Sequence, residues 1–189
     1  GLSYRKTSKI IGNLEPFSYE ALRKWYKKCI VFFHPQRKQR RVVAVDETKV
    51  KWEDQQIYIW NAIDIEDHVV LAVYISASRT SFDALHVLKL VLNSCENKPF
   101  ILVDGGPWYP WALDRLGLQW EHVTFGERNP IERLFRTVKE RTKAFYNNIP
   151  ARVHKLTNVT FFLEIFAFWY NHLRRHESLG RTPMEVSLS

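Results

Sequence analysis

The sequence has 189 residues, 46% of them hydrophobic and 14% aromatic, with a formal net charge of +8. That size and apolar content allow one main domain with a substantial core plus a small appendage, and exclude a disordered basic tail. The basic surplus calls for a polyanionic partner. The longest apolar runs, 69–75 and 159–170, are too short or too interrupted to span a bilayer and no signal-peptide pattern opens the chain, so no membrane association is expected and the cytoplasm is the expected location.

In chain order, Leu2 to Ile11 and Ser18 to Cys29 read as two short helices around a Gly12–Phe17 connection. Ser18 suits the cap of the second, whose apolar side is Tyr19, Leu22, Trp25, Tyr26 and Cys29. Arg23, Lys24, Lys27 and Lys28 fall elsewhere around it. A basic helix after a turn is compatible with a helix-turn-helix reader of DNA; an ordinary packing hairpin with a solvated basic face fits the same residues, and the turn is longer than such readers use. The chain begins at Gly1 and its single methionine is Met184, so its start is read as a truncation or tag remnant and the helix-turn-helix-like segment, residues 1–33, as incomplete. Residues 34–41, HPQRKQRR, form a polar basic linker between it and a main domain at 42–189; the linker could track a phosphate backbone but reads first as a solvated tether. Cys29 and Cys95 have no C-x-x-C partner, which argues against a zinc site or a disulfide framework.

Three strands are predicted next, Val42 to Val45, Ile57 to Ile63 and Val69 to Ile75, with the acids Asp64, Glu66 and Asp67 in a hairpin turn between the last two. A helix starts at Ser81 and leads to a strand at Phe100 to Val103, parallel to the first because a crossover reaches it. A short helix at Tyr109 to Leu116, a strand at Trp120 to Phe125, and long helices at Ile131 to Tyr146 and Leu156 to Arg174 complete the chain. Within the last helix, the Trp and Phe residues of 159–170 read as core.

Three carboxylates share a setting. The run Arg41 to Thr48 delivers Asp46 at the end of an apolar β segment, and Phe100 to Gly106 repeats the design, with a Gly pair ending the strand just after Asp104. Glu132 opens the helix that Pro130 begins. Alone, either Asp would be read as a turn residue or cap. Together, three hard oxygen ligands at the ends of different elements could hold Mg²⁺ or Mn²⁺. On the Glu132 helix, Arg136, Lys139 and Lys143 follow the acid on roughly the same face, positioned to contact DNA phosphate, with a solvated basic stripe as the competing reading. Asn171, Arg174 and His176 are candidates for further DNA or structural contacts.

The order βββαβαβα is that of the ribonuclease H architecture, an α/β fold with a mixed five-stranded sheet and flanking helices, here preceded by a small helical, helix-turn-helix-like segment. From about Leu2 to its end the chain resembles DDE transposases of bacterial and archaeal insertion sequences, and most of all insertion sequence family six. The resemblance rests on Val45-Asp46-Glu47-Thr48 with 58–64 (YIWNAID), on Val103-Asp104-Gly105 with Tyr109, and on 129–135 (NPIERLF) with Lys139 and Arg141. The ending 170–179 (YNHLRRHESL) with Thr182-Pro183 matches as well.

The resemblance implies a two-metal site of Mg²⁺ or Mn²⁺ on Asp46, Asp104 and Glu132, and DNA cleavage and strand transfer at transposon ends. Asp104 and Glu132 stand closer in sequence than in many members, with Glu127 as the reserve third acid. The implied partner is double-stranded DNA at transposon ends and target, bound by a homodimer or higher assembly at the nucleoid. Expected DNA contacts are Arg23, Lys24, Lys27, Lys28, Arg136, Lys139, Lys143 and Arg174. A non-catalytic DNA-binding relic is an alternative, although such a relic has no physical reason to keep three acids. A related ribonuclease H-fold integrase or nuclease is another.

Overall fold

Strand β1 (Val42–Trp52) sits at the centre of the sheet and is longer than its apolar start suggests. It is extended by an antiparallel hairpin with β2 (Gln55–Asp64), paired from Val43 opposite Asp64 out to Trp52 opposite Gln55. The chain is described by a computed structural model over residues 4–12, 17–28, 35–52, 55–123, 129–141, 148–149 and 156–189. Strand β3 (Val70–Ser76) adds antiparallel to β2, with a register shift at Ala62/Ile63. Helix α3 (Ser81–Asn93) then crosses over to β4 (Phe100–Val103), which lies parallel to β1 as expected. Helix α4 (Tyr109–Leu116) leads to β5 (Trp120–His122), parallel to β4. The strand order is therefore β3-β2-β1-β4-β5, the mixed five-stranded path of the ribonuclease H architecture.

Helix α5 (Asn129–Arg141) follows, then β6 (Asn148–Ile149), a two-residue strand that pairs with the far end of β1 at Lys51 and Trp52. Helices α6 (Leu156–His172) and α7 (Pro183–Ser187) close the chain. The N-terminal helices are α1 (Tyr4–Ile11) and α2 (Tyr19–Lys28), with the Ser18 hydroxyl accepting from the Ala21 amide at 3.1 Å as the expected cap. Trp25 departs from its expected apolar, packed setting: it is 54% exposed.

The pleat sorts the sheet into two cores. Val43, Val45, Trp60 and Ala62 meet Ala84, Leu88 and Val91 of α3 and Ala112 and Leu113 of α4. Ala44, Ile57, Ile59 and Leu102 meet Ile131, Leu134 and Phe135 of α5 and Val159, Leu163 and Phe166 of α6. Burial of each Val, Leu, Ile or Phe among them contributes about 1.5–3 kcal/mol, which fixes the two helix pairs on opposite faces.

Arg40 is not part of a solvated tether. It is 2% exposed and donates to Asp64 at 2.8 Å, Asp67 at 3.4 Å and the Ser94 carbonyl at 3.2 Å. A buried guanidinium requires such pairing, so the acids of the β2–β3 turn are satisfied by the residue that leads into β1.

Candidate active site

The parallel register of β1 and β4 pairs Val42 with Phe100, Val43 with Ile101 and Ala44 with Leu102. Carried two residues further, the same register sets Asp46 beside Asp104. The pleat also fixes their direction. Ala44 and Leu102 belong to the core beneath α5 and α6, so alternation puts Asp46 and Asp104 on that face too. Asp46 is not at the tip of its strand, as its sequence setting suggests; it lies mid-strand opposite Asn61. What ends near it is the pairing with β4, which opens the sheet at this edge.

Carboxylate oxygens of Asp46, Glu47 and Asp104 all lie within 4.8 Å of one another. Backbone donors orient them: the Glu47 amide donates to Asp46 Oδ1 at 2.8 Å, and the Gly106 amide to Asp104 Oδ1 at 3.1 Å. Glu47 is held from the other face, where Tyr109 Oη donates to its Oε2 at 2.7 Å and Arg79 Nη1 pairs with its Oε1 at 3.4 Å. Its side chain is 3% exposed. Burial raises its pKa, the Tyr109 hydrogen bond opposes that shift, and the nearby Asp104 charge adds to it. The fully buried Tyr109 hydroxyl is pushed well above its usual value by burial and then by Glu47. Asn61, directly across from Asp46, is 4% exposed, and its side-chain amide nitrogen has no acceptor among the described residues.

Three carboxylates this close repel one another unless a cation joins them. Hard oxygen donors at this spacing fit a divalent ion such as Mg²⁺. Glu132 is outside this group. It is exposed in the first turn of α5, whose Ile131, Leu134 and Phe135 pack on the same face that Asp46 and Asp104 share. The reserve acid Glu127 lies outside the described residues, as does Lys143. Lys139 lies on α5, but its side chain is outside them too.

The other basic candidates divide by their partners. Arg136, Lys24, Lys27 and Lys28 are exposed, while Arg23 pairs with Glu20 at 2.9 Å on its own helix. Arg174 is used inside the fold: its Nη1 donates to Thr137 Oγ1 at 2.6 Å and its guanidinium lies over Trp169 and Tyr170. Asn171 is buried and bridges the Val70 backbone, accepting from its amide at 2.8 Å and donating to its carbonyl at 3.0 Å. His176 packs edge-on against Tyr170, and burial, with the Arg174 and His68 charges, lowers its pKa to about 4. Glu47, Tyr109 and Arg79 were not among the site residues expected from sequence. The available signal was the strand period, which puts Glu47 on the opposite side of β1 from Asp46.

This arrangement, paired acids at the open edge of a ribonuclease H-like sheet with a helix covering their face, defines a domain of the transposase and integrase class. Residues 40–169 match the DDE_Tnp_IS240 family, described as a DDE domain. The chain belongs to that family and is a DDE-type enzyme. Divalent metal use and action on DNA follow from membership.

Among relatives, the chain is 45% identical over 175 residues to the uncharacterized protein MJ0017 of Methanocaldococcus jannaschii, covering 92% of this chain and 81% of that protein. It is 39% identical over 92 residues to the uncharacterized protein aq_aa24 of Aquifex aeolicus, covering 49% of this chain and 71% of that protein. In fold it is similar to the HTLV-2 integrase catalytic core domain solved with magnesium, at TM-score 0.55 and 16% identity, covering 78% of this chain and 96% of that one. A chain of the simian T-cell lymphotropic virus intasome gives TM-score 0.61 at 17% identity; the overlap is 82% of this chain and 58% of that longer one. No helix among the described residues is long and apolar enough to cross a membrane.

Proposed function

We propose that this chain cuts DNA at the ends of an insertion sequence and joins the freed 3′ end to target DNA, with Asp46, Asp104 and Glu132 as its catalytic acids. The observation that carries the reading is the β1–β4 register, which aligns Asp46 with Asp104 on the face that α5 covers. The acids would hold two Mg²⁺ or Mn²⁺ ions, and such ions supply activation of the attacking oxygen and stabilisation of the leaving one. The magnesium in the HTLV-2 integrase core supports the choice of metal.

Glu132 is favoured over Glu47 as the third acid because Glu47 has Tyr109 on one oxygen and Arg79 on the other and belongs by the pleat to the opposite face. Arg136, with Lys139 and Lys143 further along, would hold backbone phosphate near the acids, since phosphate contacts position DNA without reading its sequence. The α1–α2 pair would read the transposon end. On the same reading, pairing of two ends would involve at least a dimer, and the place of action would be the nucleoid in the cytoplasm.

The test incubates the protein with Mg²⁺ and labelled candidate end DNA and resolves cut from joined products. Asp46→Asn, Asp104→Asn and Glu132→Gln should each abolish both products while retaining the wild-type melting temperature and DNA affinity. A wild-type rate in any of the three would remove that residue from the site; cut products without joined ones would make the protein a nuclease.

A further inference from the structure

Arg79 stands beside the acids and, though partly exposed, is held by contacts on several sides. It lies in the connection between β3 and α3, just before the Thr80 cap. Strand β3 runs parallel to β1, because both are antiparallel to β2, so this connection leaves the sheet at the end toward which β1 runs past Asp46. The guanidinium is placed over two rings, 4.4 Å from the Trp108 centroid and 4.9 Å from that of Tyr58. Its Nη1 is tied to Glu47 at 3.4 Å, and Glu47 is itself clamped by Tyr109. The side chain is still 39% exposed. Glu47 accepts from one Nη of a guanidinium that carries five N–H donors.

A surface arginine normally surrenders most of its rotamer entropy when it binds, which limits its net contribution. Two rings and an ion pair have already fixed this fork, so little is lost on binding. It is also one carboxylate away from Asp46 and Asp104, because Glu47 is within 4.8 Å of both. A planar, fixed, partly open cation at that distance matches a phosphate diester neighbouring the one that reacts.

We propose that Arg79 binds a backbone phosphate of the DNA strand at the acids, and that Glu47 is its positioning residue. This rests on the proposed DNA-cutting role. Glu47 thereby gains a function that its place among the carboxylates would not suggest: it aims a cation instead of holding one of its own. Trp108 and Tyr58 are the walls of the holder, and Tyr109 keeps Glu47 in line.

The experiment uses the full chain, with wild type as the control for the DNA-cutting role itself. Arg79→Gln should weaken binding to end DNA about tenfold, the size of a charge-assisted hydrogen bond, and lower the slope of log K against log salt by about one unit. Arg79→Lys keeps the charge but not the stacked fork; it should restore the slope and recover only part of the affinity. A scan of end DNA with one neutral methylphosphonate at a time locates the partner: a position that weakens wild type should be silent in Arg79→Gln. Melting temperature separates the rival role, in which Arg79 merely braces the two rings. In that case Arg79→Gln melts lower, and its salt slope and methylphosphonate profile match wild type, which overturns the proposal. If wild type neither binds nor cuts DNA, it is the DNA-cutting role that fails.

Discussion

At the scale of single residues, the active edge depends on contacts that a reading of the acids alone leaves out. Tyr109 is wholly buried, and its hydroxyl is spent on Glu47 at 2.7 Å. Removing that donor strands a carboxylate oxygen in a place water reaches poorly. Tyr109→Phe is therefore expected to lower unfolding free energy by about 2 kcal/mol, as for a hydrogen bond to a charged group, with the change read from urea denaturation. An unchanged midpoint would mean that solvent replaces the hydroxyl. Gly106 shows how tight the same edge is: a Cβ there would sit 2.5 Å from the Trp108 ring, which bears on Arg79. Gly106 thus serves the approach of an indole as well as ending the strand.

At the scale of elements, the sequence carried the topology further than it carried the strand ends. Apolar runs and turn residues, which are local signals, located the five strands and the crossover through α3 along the chain, while their β3-β2-β1-β4-β5 path followed from the ribonuclease H element order. The length of β1 was not read from the sequence, because Asp46, Glu47, Lys49 and Lys51 put four charges into residues 46–52 (DETKVKW) and mask the alternation that sets the buried Val50 between two lysines; pairing with β2 and β6 carries the strand through them. The same cause hid Arg40, whose charge reads as solvent-facing until Asp64 and Asp67 are folded against it. Asn171 is a third case. It lay open between DNA contact and structural contact, and its side chain is found docked on the backbone of β3, the edge strand. A covered edge is protected against pairing with other chains. Asn171→Ala should leave the amide and carbonyl of Val70 buried without partners and cost about 2–4 kcal/mol, measurable by chemical denaturation, with a rise in aggregation on heating. Full stability in this variant would show that α6 holds β3 by its apolar side chains alone.

At the scale of the whole molecule, the net charge of +8 includes exposed basic residues on two different helices. Lys24, Lys27 and Lys28 are exposed on α2, and Arg133 and Arg136 are exposed on α5, beside the face of the acids. If α2 reads transposon ends while α5 holds phosphate at the acids, charge removal should separate the two. Replacing Lys24, Lys27 and Lys28 by Gln should lower the salt slope by about two to three units on any DNA and also reduce the ratio of end to random binding. Arg136→Gln should lower the slope by about one unit and leave that ratio unchanged, because a phosphate contact carries no sequence information. Single-turnover cleavage at saturating protein supplies the second axis: Arg136→Gln should cut more slowly even when all DNA is bound, whereas the α2 triple variant should cut normally once bound. Competition binding at several salt concentrations, paired with that assay, reads both quantities. A triple variant that keeps its end-to-random ratio would make α1 and α2 a packing hairpin with a solvated basic face, and sequence recognition would then have to come from elsewhere on the chain.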